Sequence, residues 1–218
     1  MKIAVIGAGG VGGYFGGRLA KANFDVTFLA RGEHLREIQQ HGLRVKSVNG
    51  DFIVENAQAT DSIRKIGFTD IIILATKAWQ VRSISHELAS IIKKDTIVLP
   101  LQNGVLTAEE LAENIPAANI MGGLCKIVSK VESPGVIHHF ALDPVVIFGE
   151  FDSRETERVE LLKSVFYKAE INSIISDDIT ADLWKKFIAI CVSGLLAVTK
   201  TNYGELRELK ETRQLMTE

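Results

Sequence analysis

Residues Ile3–Gly17 read IAVIGAGGVGGYFGG, a short apolar run followed by seven glycines within fifteen residues. Lys2 to Ile6 is continuous enough to be a buried parallel strand, and it stops at Gly7. From Gly10 to Asn23 the apolar residues Val11, Phe15, Leu19 and Ala22 recur at helical spacing. Asp25 to Leu29 is again strand-like, so the opening stretch predicts a βαβ unit. Within it Gly7, Gly9 and Gly12 spell G-x-G-x-x-G between a strand and a helix, the context in which that spacing carries weight. Gly7 permits the tight turn, Gly9 lets backbone approach a pyrophosphate, and Gly12 lets the helix sit close to the strand. The helix N-terminus supplies free N–H groups and a positive dipole end. Gly7, Ala8, Gly9, Gly10, Val11 and Gly12 are therefore candidate cofactor contacts. Gly13, Gly16 and Gly17 are assigned to close helix packing.

The end of the second strand selects the dinucleotide. A carboxylate there would accept from a ribose 2′-OH. The sequence is FLARG instead, with Arg31 and no acid, and a guanidinium suits a 2′-phosphate. NADP(H) is the expected cofactor.

Alternation continues downstream. Glu33 to His41 is a short helix, and LRVKSVNGDFIVEN is a hairpin turning at Asn49-Gly50. TDIIILAT is a buried strand, Gln80 to Ile92 a helix, and TIVLPLQNG a strand running into a loop. Thr107 to Asn114 is a helix with Thr107 and Glu110 as a capping box. Ile120 to Gly149 is strand-like with a turn at ESPG, Arg154 to Lys168 is a helix and Ile171 to Ser176 a strand. After that the character changes to a long apolar helix, ITADLWKKFIAICVSGLLAVTKT, and the start of another at GELRELKETRQLMTE. The fold class is α/β: a Rossmann-type parallel-sheet domain over residues 1–177, then residues 178–218 as the beginning of an all-helical domain for substrate or dimerisation.

The 218 residues carry a formal net charge of -2, which offers no basic face for nucleic acid. Two cysteines, Cys125 and Cys191, stand far apart, so neither a disulfide framework nor a metal cage is expected. No targeting segment or membrane span is read, and a cytoplasmic location is expected. Cys191 is expected as a buried thiol, and Trp79, close after Lys77, as core packing ahead of the alternative of lining the cleft. His138 and His139 point to opposite faces of a hairpin and cannot share a metal, a solvated or cleft-edge place being expected. His34, His41 and His86 have no ligand-type partners in the sequence.

The series GAGGVGGYFGGRLA, VTFLARG, ATKAWQ, LQNGV and LWKKF resembles, in this order, the ketopantoate reductases (2-dehydropantoate 2-reductases) over essentially the whole chain. The resemblance implies a Rossmann domain followed by a helical one, with the active site in the cleft between. It implies NADPH-dependent reduction of a small 2-oxo acid, 2-dehydropantoate to pantoate, on the route to pantothenate and coenzyme A, the alternatives being reduction of a different 2-oxo acid or NADP binding without reductase activity. Lys186 matches the catalytic lysine, Asn103 an asparagine near nicotinamide and substrate, and Lys77 a lysine facing the same cleft. Lys77, Asn103 and Lys186 are thus the catalytic candidates, with Lys77 and Asn103 also on the cofactor side. The residue types fit, because an alkoxide forming at a ketone needs a positioned proton donor.

Two departures stand out. At four and eight residues beyond Lys186 the family tends to carry substrate-binding asparagines, and here Ile190 and Gly194 stand. Ser193 is near that face and is a candidate substrate hydroxyl. Members also carry a further serine and glutamate beyond the position where this chain ends, so a fragment, or a homodimer covering the apolar helix, is expected.

Overall fold

The computed structural model describes residues 1–216. Thr217 and Glu218 of the expected last helix lie outside the described residues. The strands are β1 (Lys2–Ile6), β2 (Asp25–Leu29), β3 (Leu43–Ser47), β4 (Phe52–Val54), β5 (Gln58–Thr60), β6 (Thr69–Leu74), β7 (Ile92–Pro100), β8 (Gly122–Ser133), β9 (Val136–Gly149) and β10 (Asn172–Ile175). The helices are α1 (Gly10–Lys21), α2 (Gly32–His41), α3 (Ile63–Ile66), α4 (Val81–Leu88), α5 (Thr107–Ala112), α6 (Glu157–Lys168), α7 (Ile179–Thr199), α8 (Tyr203–Glu208) and α9 (Lys210–Leu215).

β1, β2, β5, β6 and β7 form one parallel sheet in the order β5-β2-β1-β6-β7. Successive strands are added toward one edge from β1 to β5 and toward the other from β6 to β7, so the switch point where doubly wound sheets bind ligands lies between β1 and β6. Alternation along β1 buries both faces. Ile3 and Val5 join the core that contains α1, while Ala4 and Ile6 join a second core with α4 and α5.

The remaining strands were expected as local hairpins. The two hairpins form, as the antiparallel pairs β3-β4 and β8-β9, and with β10 they join into a second sheet, β10-β9-β3-β4, with β8 also paired to β9. The long β9 makes this possible: Val136 to His139 pair with β3, and Val145 to Phe148 with β10. Helix α1 is held between the two sheets, which accounts for its inner glycines. A Cβ on Gly16 would lie 2.6 Å from Phe28 of the parallel sheet, and one on Gly13 2.6 Å from Ile137 of the second sheet.

Several local expectations are corrected. The 80–92 segment is helical only as α4; Ala89–Ile91 tightens into a 3-10 turn and Ile92 already starts β7. Thr107 is not a cap: α5 is entered from Leu106 with no side-chain cap. Helix α6 begins at Glu157, because Thr156 caps it through the Val159 N–H. The segment after α7 breaks at Leu209 into α8 and α9.

Helix α7 starts close to β8. Asp178 caps the Ala181 N–H at 2.9 Å, and Ile179 packs with Leu124, Val145 and Ile147. Gly122 allows the approach, since a Cβ there would meet Ile179 at 2.7 Å. Further along, among the described residues, α7 is uncovered on one side and leaves Ile188 and Val198 exposed. Cys191 is exposed for that reason, against the expectation of a buried thiol. Trp79 is likewise exposed, in the 3-10 turn ahead of α4, where no second layer covers it. His139 is fully buried: its Nδ1 meets the Ser47 hydroxyl at 2.8 Å and its Nε2 the Leu142 carbonyl at 2.7 Å. Only His138 takes a half-exposed place, near Glu132.

Candidate active site

The register brings four strand ends level. Ile6 pairs with Leu29 and with Leu74, and Leu74 pairs with Pro100. The loops that leave these ends carry Arg31, the glycine turn, Lys77 and Asn103. Four segments separated in sequence are thereby set side by side at the carboxyl edge of one parallel sheet.

The glycine turn meets the demands of a pyrophosphate. Gly7 has φ +102°, a left-handed conformation that a side chain would strain. A Cβ on Gly12 would fall 2.0 Å from the Gly7 carbonyl oxygen, so only glycine lets α1 begin there. At Gly9 nothing lies within 4 Å of where a Cβ would stand, which leaves an open mouth over the turn. Among the described residues the N–H groups of Gly10, Val11 and Gly12 have no hydrogen-bond partner, and the first intrahelical bond runs from Gly13 N–H to Gly9 O at 2.7 Å. These residues fit a dinucleotide, whose phosphates the free N–H groups would hold. Ala8 differs from its neighbours. Its N–H donates to the Leu29 carbonyl at 3.1 Å and its carbonyl meets His34 Nε2 at 2.8 Å, so both backbone groups are used inside the protein.

Arg31 is exposed at the start of α2. Lys77 and Asn103 are exposed too, and their side-chain nitrogens have no partner among the described residues. The Lys77 backbone N–H is held by Gln80 Oε1 at 3.2 Å, which fixes the turn that presents it.

Lys186 is different in kind. It is half-buried on α7, and its Nζ donates to the Cys125 carbonyl of β8 at 2.7 Å. Burial holds its ammonium below the usual lysine range, and the nearby Lys126 charge pushes the same way. The Cys125 thiol, raised by burial, lies 3.8 Å from the Leu101 carbonyl, two residues before Asn103. Lys186 is thus tied through β8 to the loop that carries Asn103. Gln102 between them is buried, its Nε2 is 3.4 Å from Thr76 Oγ1, and its Oε1 has no partner.

Residues 3–153 match the family model described as ketopantoate reductase PanE/ApbA. The chain belongs to the ketopantoate reductase family. It is 34% identical over 99% of its length to the 2-dehydropantoate 2-reductase of Nostoc sp., covering 69% of that protein. A 2-dehydropantoate 2-reductase structure from Geobacter metallireducens superposes with TM-score 0.91 at 30% identity, over 99% of this chain and 71% of that one. D-mandelate dehydrogenase, solved with NADH and anilino(oxo)acetate, matches with TM-score 0.86 at 26% identity, over 99% of this chain and 70% of that one. The chain spans between 60% and 70% of the length of the curated ketopantoate reductases it matches.

Within this candidate site, the α7 positions beyond Lys186 are apolar or empty. Ile190 is 36% exposed, and Gly194 has nothing within 4 Å of its Cβ direction. The Ser193 hydroxyl bonds back to the Ala189 carbonyl at 2.9 Å and also meets the Tyr203 hydroxyl, so it is engaged rather than free. Three participants were not read from the sequence: the Cys125 carbonyl, the Gln102 side chain and His34. The first acts through backbone, which leaves no residue-type signal. Gln102 was within the quoted LQNGV, where Asn103 alone drew notice. Among the described residues no cluster of metal-ligand type occurs, and no helix is long and apolar enough to cross a membrane.

Proposed function

We propose that this chain supplies the cofactor-binding and proton-donating parts of a cytoplasmic, NADPH-dependent 2-oxo-acid reductase, converting 2-dehydropantoate to pantoate. Residues 1–177 are read as the NADP-binding domain and 178–218 as the beginning of the helical one. NADPH, when bound, supplies the hydride. The pyrophosphate is assigned to the N–H groups of Gly10, Val11 and Gly12, and the 2′-phosphate to Arg31, since no carboxylate stands at the end of β2 to repel it. Hydride arrival at the keto carbon leaves negative charge on oxygen. Lys186 meets that charge and then passes it a proton: an Nζ–H bond breaks, an O–H bond forms, and the amine recovers a proton from solvent. Asn103 orients the reacting groups through neutral hydrogen bonds, and Lys77 adds positive charge at the same edge.

The observation that carries this reading is the half-buried Lys186, held at 2.7 Å on the Cys125 carbonyl and linked through β8 to the Asn103 loop. A second reading, reduction of a different 2-oxo acid, is favoured by Ile190 and Gly194 and by the likeness to D-mandelate dehydrogenase. The test is oxidation of NADPH and NADH by the purified protein with 2-dehydropantoate and with 2-oxo acids bearing larger apolar side chains. Turnover with 2-dehydropantoate and NADPH is expected. Turnover confined to the larger acids selects the second reading, and none with any acid rejects both.

A further inference from the structure

His34 stands three residues after Arg31 in α2, yet its ring reaches two distant segments. Its Nε2 meets the Ala8 carbonyl at 2.8 Å, 26 residues away. Its Nδ1 accepts from the Gly135 N–H at 2.9 Å, 101 residues away. The second bond fixes the tautomer. An Nδ1 that accepts carries no proton, so Nε2 carries it and donates to Ala8.

We propose that His34 is a positioning residue for the cofactor, setting both the glycine turn and the helix that bears Arg31. Two steps of geometry lead there. In a trans peptide the C=O and the following N–H point in opposite directions. Holding the Ala8 carbonyl on His34 therefore turns the Gly9 N–H away from α2, at the residue whose Cβ direction is open. That N–H joins those of Gly10, Val11 and Gly12, which have no partner among the described residues. The same ring pins the first turn of α2 to the glycine turn, adding a side-chain tie to the backbone bond between the Ala8 N–H and the Leu29 carbonyl in fixing the distance between the pyrophosphate contacts and Arg31. Gly135 supplies the backing. It lies in the turn between β8 and β9 with φ +73°, and its N–H holds the ring in place from the second sheet.

The inference rests on the dinucleotide reading of the turn and is independent of which acid is reduced. The experiment is fluorescence titration of NADPH and NADH, without any acid, on the wild type and on His34→Leu and His34→Gln, with melting temperatures alongside. Leucine removes both bonds; glutamine keeps a terminal N–H that reaches Ala8. The expected result is NADPH binding weakened about tenfold in His34→Leu and recovered to within about threefold of wild type in His34→Gln. In the NADPH-oxidation assay the cofactor KM rises in His34→Leu while kcat at saturating cofactor holds. Equal affinity in wild type and His34→Leu overturns the proposal. So does a His34→Gln as weak as leucine at an unchanged melting temperature. A wild type that binds neither dinucleotide rejects the reading of the turn itself, a result separable from both.

Discussion

Lys186 is the side chain on which the proposed chemistry turns. An ordinary surface lysine is fully protonated at neutral pH and a weak acid. Burial against β8 lowers the cost of giving up its proton. Replacing it with alanine is expected to reduce kcat by about a thousandfold, the usual range for a lost general acid, while NADPH binding changes little. The sign of the pH dependence follows from the same burial. The protonated amine is the active form, so kcat falls as pH rises through a pKa lying below the ordinary lysine value. A pH–kcat profile reads this directly, and a rate flat to the ordinary lysine range would contradict it. Lys186 and Asn103 stand out in the sequence because residue type, spacing and family resemblance coincide there. His34 does not, because its partners are backbone groups of Ala8 and Gly135, and backbone partners leave no residue-type signature.

Helix α1 illustrates what an element owes to its two neighbours. A helix on one face of a sheet needs small residues on one side only. Held between two sheets, α1 carries Gly16 against Val5 and Phe28 and Gly13 against Ile137. A larger side chain at Gly16 would enter space already filled, at 2.6 Å from Phe28 and 2.7 Å from Val5. Gly16→Val is expected to cost about 2 kcal/mol or more, since overpacking exceeds any gain in helix propensity. Urea unfolding at unchanged m-value checks it. That these glycines serve packing was readable from their placement after the fingerprint. Which sheet each one faces was not, since β9 meets β3 across some ninety residues of chain.

At the scale of the whole molecule, Arg158 joins parts that the chain separates. From α6 it holds Glu150 at the end of β9, with Nε at 2.7 Å, and it also donates to the Ala118 and Ile120 carbonyls ahead of β8. Burial alone would raise the Glu150 carboxyl, but hydrogen bonds from Arg158 and Thr156 outweigh it and hold the group below the usual glutamate range. A carboxyl lowered in the fold stabilises above its unfolded pKa, and that contribution is lost as pH falls through the folded value. Arg158→Ala leaves the 8%-exposed Glu150 side chain without its guanidinium and is expected to cost about 2–3 kcal/mol at neutral pH. The deficit relative to wild type should shrink as pH falls through the lowered Glu150 value, below which the carboxyl is protonated in both. Thermal melts across pH measure it.

The sequence by itself determined the βαβ start, a parallel sheet of apolar strands, the glycine-rich strand-to-helix turn and which residues the loops at the sheet's carboxyl ends carry. These follow from period, glycine spacing and residue type, all properties of neighbours along the chain. Tertiary structure alone decided that the later strands build a second sheet, that α1 lies between two sheets, and that Lys186 is tied to the Asn103 loop through Cys125. It also decided that His139 is buried while Cys191 and Trp79 are exposed. The reason is the same in each case: burial and backbone hydrogen bonding between distant segments depend on which faces meet, and local pattern does not encode that meeting.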